Sequence, residues 1–393
     1  MNKLIAVCIV LQACGSVDRP PPDAFVAQLT SVAVTPSTIA TKRSLGTPTQ
    51  LTATATLSDS TTRDVTDRAT WSSSDSTVAT VSPTGLASAA PGTGPGSATI
   101  TASFAGMSGT TQVTVSSPLM FLTDISTNTI DVFDSAEQGN VAPMRAINGA
   151  ATTLSGVWSI VIYKDEIYVA DSSSSVDVFP VTASGNVAPA RRINGALTTL
   201  VPGCYGLALY NDEIYVACPS KIVVFPKAAT GNVTPTRSIS GATTTIGTNA
   251  FSLAVYKDEI YLSNYTQVLV FPTTATGDVA PTRTIAGPHA QLQNCYGIAV
   301  DKGEIIVSNL SGIRTFLTTA TGDATPIRNL TGPNTSIGSA TGVAVFGTDL
   351  VITDAGPIGN FTFPREATGD AAPSRSLSGA ATTISNARTV AFY

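Results

Sequence analysis

The chain has 393 residues, room for two or three domains with a core each. Hydrophobic residues make up 43% and charged residues 12%, well under the usual quarter, and the abundant Thr, Ser, Gly, Ala and Val suit short strands joined by tight turns. A net charge of −5 with no clustered Lys or Arg argues against a nucleic-acid partner, which needs cations along its phosphates.

The N-terminus reads as a processing signal. Asn2-Lys3 is a short basic region and Leu4 to Val10 an apolar run, about half the ~20 residues of a membrane span. It ends in Leu11-Gln12-Ala13-Cys14, which resembles the lipobox of bacterial lipoproteins. The resemblance implies that residues 1–13 are removed and that Cys14 takes the lipid, with an ordinary secretory signal as the alternative. Acyl chains add about 0.8 kcal/mol per buried CH₂, so more than one makes a durable membrane anchor. Residues 14–27, with Pro20-Pro21-Pro22, form a stiff spacer. Gly15 after the anchor, in place of Asp, implies an exported protein on the outer membrane or cell surface. With Cys8 and Cys14 set aside, Cys204, Cys218 and Cys295 allow at most one bridge.

Residues 28–116 alternate apolar and polar. Leu51 to Leu57 and Ala98 to Phe104 are period-two strands, and Asp59-Ser60, Ser72 to Ser76 and Pro91 to Gly96 are turns. Such a segment predicts a small two-sheet sandwich without the antibody-type disulfide, and Trp71 as a core residue. Val34-Thr-Pro-Ser37, Asp64-Val-Thr66, Trp71 to Val81, Gly85-Leu86 and Gly96 to Ala102 resemble the group 2 bacterial immunoglobulin-like domain. That family is frequent in adhesins and glycan-handling surface proteins, mostly as a spacer, and the resemblance implies a stalk here.

Residues 118–393 repeat themselves. Gly-(Asn/Asp)-x-x-Pro-x-Arg begins at Gly139, Gly185, Gly231, Gly277, Gly322 and Gly369, a period of about 46 residues. Each period holds four strands; in the third they are Tyr205 to Tyr210, Glu213 to Cys218, Lys221 to Pro226 and Thr236 to Ser240. Four strands per repeat is a propeller blade. Met120 to Asp124 and Ile130 to Phe133 open the region without an inner strand, and Arg388 to Tyr393 supplies one at the end. The fold expected is therefore all-β: an immunoglobulin-like sandwich, then a six-bladed propeller closed by the C-terminal strand. The repeats resemble NHL-type and related six-bladed propellers, which include both binders and enzymes.

In a propeller the inner strands begin and the second strands end on one face, around the channel. The second strands end at Asp124, Asp171, Cys218, Asn264, Asn309 and Asp354. Asp354, Asp124 and Asp171 lie on consecutive blades and could hold Ca²⁺, or they could cap their own turns. The inner strands begin at Trp158, Tyr205, Phe251, Tyr296, Thr341 and Arg388, a set that can stack a sugar or peptide or simply pack blades together. His289, the one histidine, is placed in a loop on the same face, where a general acid or base would need partners. The arginine of each signature recurs once per blade, which favours pairing with turn carboxylates or carbonyls over gripping an acidic polysaccharide. Cys204 and Cys218 flank one hairpin, and the strand register decides whether they bridge. No G-x-S-x-G, Walker or H-E-x-x-H motif occurs.

The expectation is a non-catalytic, lipid-anchored surface binding, adhesion or scaffold protein. It is read as a monomer needing no cofactor, with an envelope glycan, a peptide or a surface protein as partner. The alternative is a Ca²⁺-dependent propeller hydrolase or lyase at the channel mouth.

Overall fold

Alternation of Val, Ile and Thr with small polar residues makes the chain a run of strands; among the described residues its helices are five three-residue 3₁₀ turns. The computed structural model describes residues 27–42, 48–90, 96–356 and 358–393. The signal, Cys14 and the linker up to residue 26 lie outside them. Among the described residues no helix is long and apolar enough to cross a membrane. The chain divides into two units that part after Ser116.

In the first unit a four-stranded sheet holds Thr38–Lys42, Met107–Ser116, Gly96–Phe104 and Thr70–Ser73, in that order. A three-stranded sheet holds Leu29–Thr35, Thr52–Leu57 and Thr62–Asp64. A third, smaller sheet of Thr49–Gln50, Leu86–Ala89 and Ala79–Val81 was not expected; its strands are too short to show an alternation. Alternate residues point inward, so Ala53, Ala55, Ala98, Ile100, Val113 and Val115 form the core. Trp71 packs against that core and donates its indole N–H to the Thr66 carbonyl at 3.0 Å.

The second unit contains six four-stranded sheets. From blade one to blade six the inner strands are Ala387–Phe392, Val157–Tyr163, Gly206–Tyr210, Ala250–Tyr256, Gly297–Asp301 and Ala340–Phe346. The second strands are Leu119–Asp124, Glu166–Asp171, Glu213–Cys218, Glu259–Asn264, Glu304–Asn309 and Asp349–Asp354. Blade one is assembled from both ends of the unit: Met120 pairs with Phe392, Phe121 with Ala391 and Leu122 with Val390, antiparallel. Threonine hydroxyls fasten this seam to its neighbours. Thr123 and Thr389 both donate to the Trp158 carbonyl at 2.9 Å, and Thr341 donates to that of Ala387 at 2.7 Å. Each third strand buries one phenylalanine completely: Phe133, Phe179, Phe225, Phe271, Phe316 and Phe363.

The repeated signature ties each blade to the one before it. Its glycine forms a parallel bridge with the preceding outer strand, as Gly231 does with Ile193, and Gly139 with Leu377 across the seam. Its Asn or Asp accepts a backbone N–H from the preceding blade's 3₁₀ turn, as Asn232 does from Leu197 and Asp278 from Thr243, each at 2.7 Å. A side chain on Gly241, which opens the latter turn at φ +131°, would collide with Asp278. The signature arginines are engaged inside the fold. Arg237 and Arg283 pair with Glu213 and Glu259 at 2.8 Å, and Arg375 with Asp349 at 2.7 Å. The carboxylates are those of the residues that open the second strands, not of turns, while Arg237 and Arg283 also donate to the turn carbonyls of Thr273 and Thr318, each at 2.9 Å. Where blade one has Leu119 instead, Arg145 donates to the Val181 and Ala183 carbonyls of the next blade.

Candidate functional site

Each second strand ends beside the loop that feeds its own blade's inner strand, and the last side chain of the strand ties the two together. Asp124 accepts N–H bonds from Ser126 at 2.9 Å, Ser385 at 2.6 Å and Asn386 at 2.8 Å. Asp171 accepts from Ser155 at 2.6 Å and Ser173 at 2.8 Å. Asp354 accepts from Gly338 and Ser339 at 2.9 Å and from Gly356 at 2.7 Å. Asn309 donates to the Gln291 carbonyl at 3.0 Å. In blade three a Cys204–Cys218 disulfide makes the same tie covalently, and Cys295 stays a buried thiol.

The Ca²⁺ considered for Asp124, Asp171 and Asp354 does not fit. Both oxygens of each carboxylate accept amide N–H bonds from the loops beside their own strand, so the three side chains are turned to those loops and not to a shared point. Among the described residues no group of three or more His, Cys, Asp or Glu is placed to hold a metal. Burial works to raise the Asp124 pKa, but the amide hydrogen bonds from Asn386 and Ser385 outweigh it and hold the group below its ordinary value. Asp124 thus stays an ionised cap.

The inner-strand residues behave differently. Trp158 and Tyr205 have ring centroids 4.1 Å apart, Tyr205 and Phe251 5.8 Å, and Phe251 and Tyr296 5.0 Å. Four consecutive blades thus contribute one continuous aromatic surface. Arg388, from blade one, lies over the Trp158 ring with its guanidinium carbon 4.5 Å from the centroid. Trp158 is 8% exposed and forms the floor; Tyr205, Phe251, Tyr296 and Arg388 are half-buried around it. The rings touch one another, so a ligand would lie on this surface and not between them.

Strand register explains why these residues face the mouth. In blade two Val157 pairs with Asp171 and Ser159 with Ala170, which leaves Trp158 as an unpaired bulge residue. Phe251 and Thr341 occupy the same bulge in blades four and six, and Arg388 lies in the corresponding shift of blade one. Tyr205 and Tyr296 stand just before their strands, which begin at Gly206 and Gly297. A bulge breaks the alternation and re-aims one side chain.

His289 is not brought into the cluster. Its side chain is 74% exposed and its Nδ1 lies 2.6 Å from Asp323 of the next blade's signature turn. Tyr265 was missed by sequence reasoning: it is 40% exposed, and its ring centroid lies 6.3 Å from that of Phe251. An aromatic residue directly after Asn264, where the other repeats carry Ile125, Ser172, Pro219, Leu310 and Ala355, was the available signal.

Residues 28–115 match the family described as bacterial Ig-like domain (group 2), so the first unit is a domain of that group, typical of bacterial surface proteins. The second unit is a propeller. A 75-residue stretch is 55% identical to "Ice-binding protein 1" of Shewanella frigidimarina (strain NCIMB 400). That match covers 19% of this chain and 8% of that protein, so the chain spans a small part of its relative's length. Among solved structures, the crystal structure of a nidogen/laminin complex contains a chain similar at a TM-score of 0.51 and 11% identity, over 70% of this chain and 98% of that one. The likeness is one of fold alone. Apo AztD from Citrobacter koseri has the same coverage and identity at a TM-score of 0.43.

Proposed function

We propose that this is a non-catalytic binding protein of the bacterial surface. A lipid on Cys14 anchors it to the envelope, the immunoglobulin-like unit serves as stalk, and the propeller head engages a glycan, peptide or surface protein as a monomer without a cofactor. The observation that carries the reading is the aromatic surface. Trp158, Tyr205, Phe251 and Tyr296 gather at one mouth, while the acids that could do chemistry there, Asp124, Asp171 and Asp354, are held by backbone amides. General acid–base work needs a carboxyl or imidazole free to exchange its proton with a substrate, and large amphipathic rings are what binding hot spots use. The relative named for ice binding is in keeping with a binding role, but the matched share is too small to bring ice to this chain.

The test uses the full chain with Tyr205→Ala and, separately, Tyr265→Ala, screened against glycan arrays and envelope extracts. At least tenfold weaker binding is expected, with a melting temperature within a few degrees of the parent. Unchanged binding by both variants would remove the mouth from consideration. A collapse of stability in Tyr205→Ala, with Tyr265→Ala binding normally, would return the rings to a packing role.

A further inference from the structure

The mouth holds a positive charge, Arg388, on which Asp124 acts only through space. The other arginines of the ring have polar partners, as Arg237 has in Glu213 at 2.8 Å and Arg365 in Asp301 at 3.2 Å. Among the described residues Arg388 has neither carboxylate nor carbonyl. It rests on the Trp158 ring, and its buried Nε, like those of Arg237 and Arg283, has no hydrogen-bond partner. The nearest acid in influence, Asp124, directs its oxygens at the amides of Ser385 and Asn386. The terminal nitrogens of this half-buried guanidinium have no protein acceptor and are open to an anion, with which charge-assisted hydrogen bonds are strong.

We propose, resting on the reading of the mouth as a binding surface, that Arg388 selects an acidic sugar: the uronate carboxylate pairs with the guanidinium while the pyranose ring stacks on the neighbouring aromatics. The planar fork of arginine matches a carboxylate in two parallel hydrogen bonds, and Trp158 holds it in position before the ligand comes. Tyrosine rings join a carbon face to a hydroxyl, the same mixture a pyranose presents. A peptide C-terminus fits less well. Its carboxylate is usually captured by a cluster of backbone N–H groups, and those beside this mouth already serve Asp124, Asp171 and Asp354.

Calorimetry on the full chain with trimers of galacturonate, glucuronate and mannuronate, each beside its methyl ester, tests this. The ester keeps the ring and removes the charge. At least one free acid is expected to bind tenfold or more tightly than its ester at low salt. Arg388→Gln should reduce that preference to within twofold, and Arg388→Lys should keep part of it. Equal binding of acid and ester, or a preference that survives Arg388→Gln, overturns the acidic-sugar assignment and leaves the mouth as a site. So does failure of every trimer in a chain whose Tyr205-dependent binding of envelope material persists, or a tighter grip on a peptide carboxylate. If neither Tyr205→Ala nor Tyr265→Ala weakens that binding, the binding surface fails and this assignment fails with it.

Discussion

Asp131 and Asp177 occupy the same place in neighbouring blades and differ in the residue that stands opposite them. Asp177 pairs across its strand with Arg192, whose Nε lies 3.2 Å away, and accepts the Ser175 hydroxyl at 2.9 Å. Opposite Asp131 stands Ala146, and neither oxygen of Asp131 has a well-formed hydrogen bond. Burial, then repulsion from Asp124, pushes the Asp131 pKa up to about 7, with the Thr383 side chain pulling the other way; burial raises Asp177 to about 6 against the pull of Arg192. Between the ordinary value of 3.8 and about 7 the folded chain keeps a proton on Asp131 that the unfolded chain has released. Stability therefore falls as pH rises through that window and levels off above it, by roughly 1.4 kcal/mol for each pH unit crossed. The carboxylates paired with arginine, such as Glu213, are held low by that hydrogen bond and lose their contribution only as pH falls below 4.5. Asp131→Asn should accordingly be more stable than the parent at pH 8 and show a flatter profile from pH 5 to 8 in urea unfolding. Parallel profiles would mean that Asp131 is not the group responsible.

At the level of the strand, small residues set how closely the blades approach the axis. A Cβ on Gly206 would lie 2.9 Å from the Ser252 Cα and 3.0 Å from the Leu253 N, backbone atoms of the next inner strand that cannot swing aside. One on Gly297 would lie 2.9 Å from the Gly342 Cα. Gly206→Ala should destabilise the chain by about 1–3 kcal/mol through overpacking, read as a lower urea midpoint. Gly231, with nothing within 4 Å of where a Cβ would stand, owes its place to its φ of +69° instead. The ties at the ends of the second strands follow the same economy of form: Asp, Asn or a disulfide closes one recurrent gap.

For the whole molecule the decisive contact is the one between the ends of the propeller. Leu119 and Tyr393 exchange N–H and carbonyl bonds, both at 2.9 Å, and Met120, Leu122, Phe133 and Val390 share one core cluster. Removing residues 387–393 would expose the edge of Leu119–Asp124 and take Arg388 from the mouth. The shortened chain is expected to aggregate in gel filtration and to unfold at lower urea over a broader transition. A shortened chain with the parent's midpoint would mean that closure contributes little.

How much of this could be read along the chain follows from how local each cause is. The signature period, the alternation of the strands and the missing inner strand of the first blade are features of neighbouring residues, and they sufficed for the sandwich, the six blades and the closing strand. The aromatic residues at the mouth were nameable because they hold the same place in successive repeats. That the three aspartates would cap their own turns was legible as one of two readings, since Ser126, Ser173 and Gly356 follow within two residues; the donors from the loop before the inner strand, such as Ser385, 261 residues from Asp124, were not. Nor could the period reveal the bulge that turns Trp158 to the mouth, the lack of a partner for Arg388, or the place of His289 beside Asp323. Hydrophobic alternation and turn chemistry act over a few residues and are written in order; the partner of a buried charge is settled only when distant segments meet.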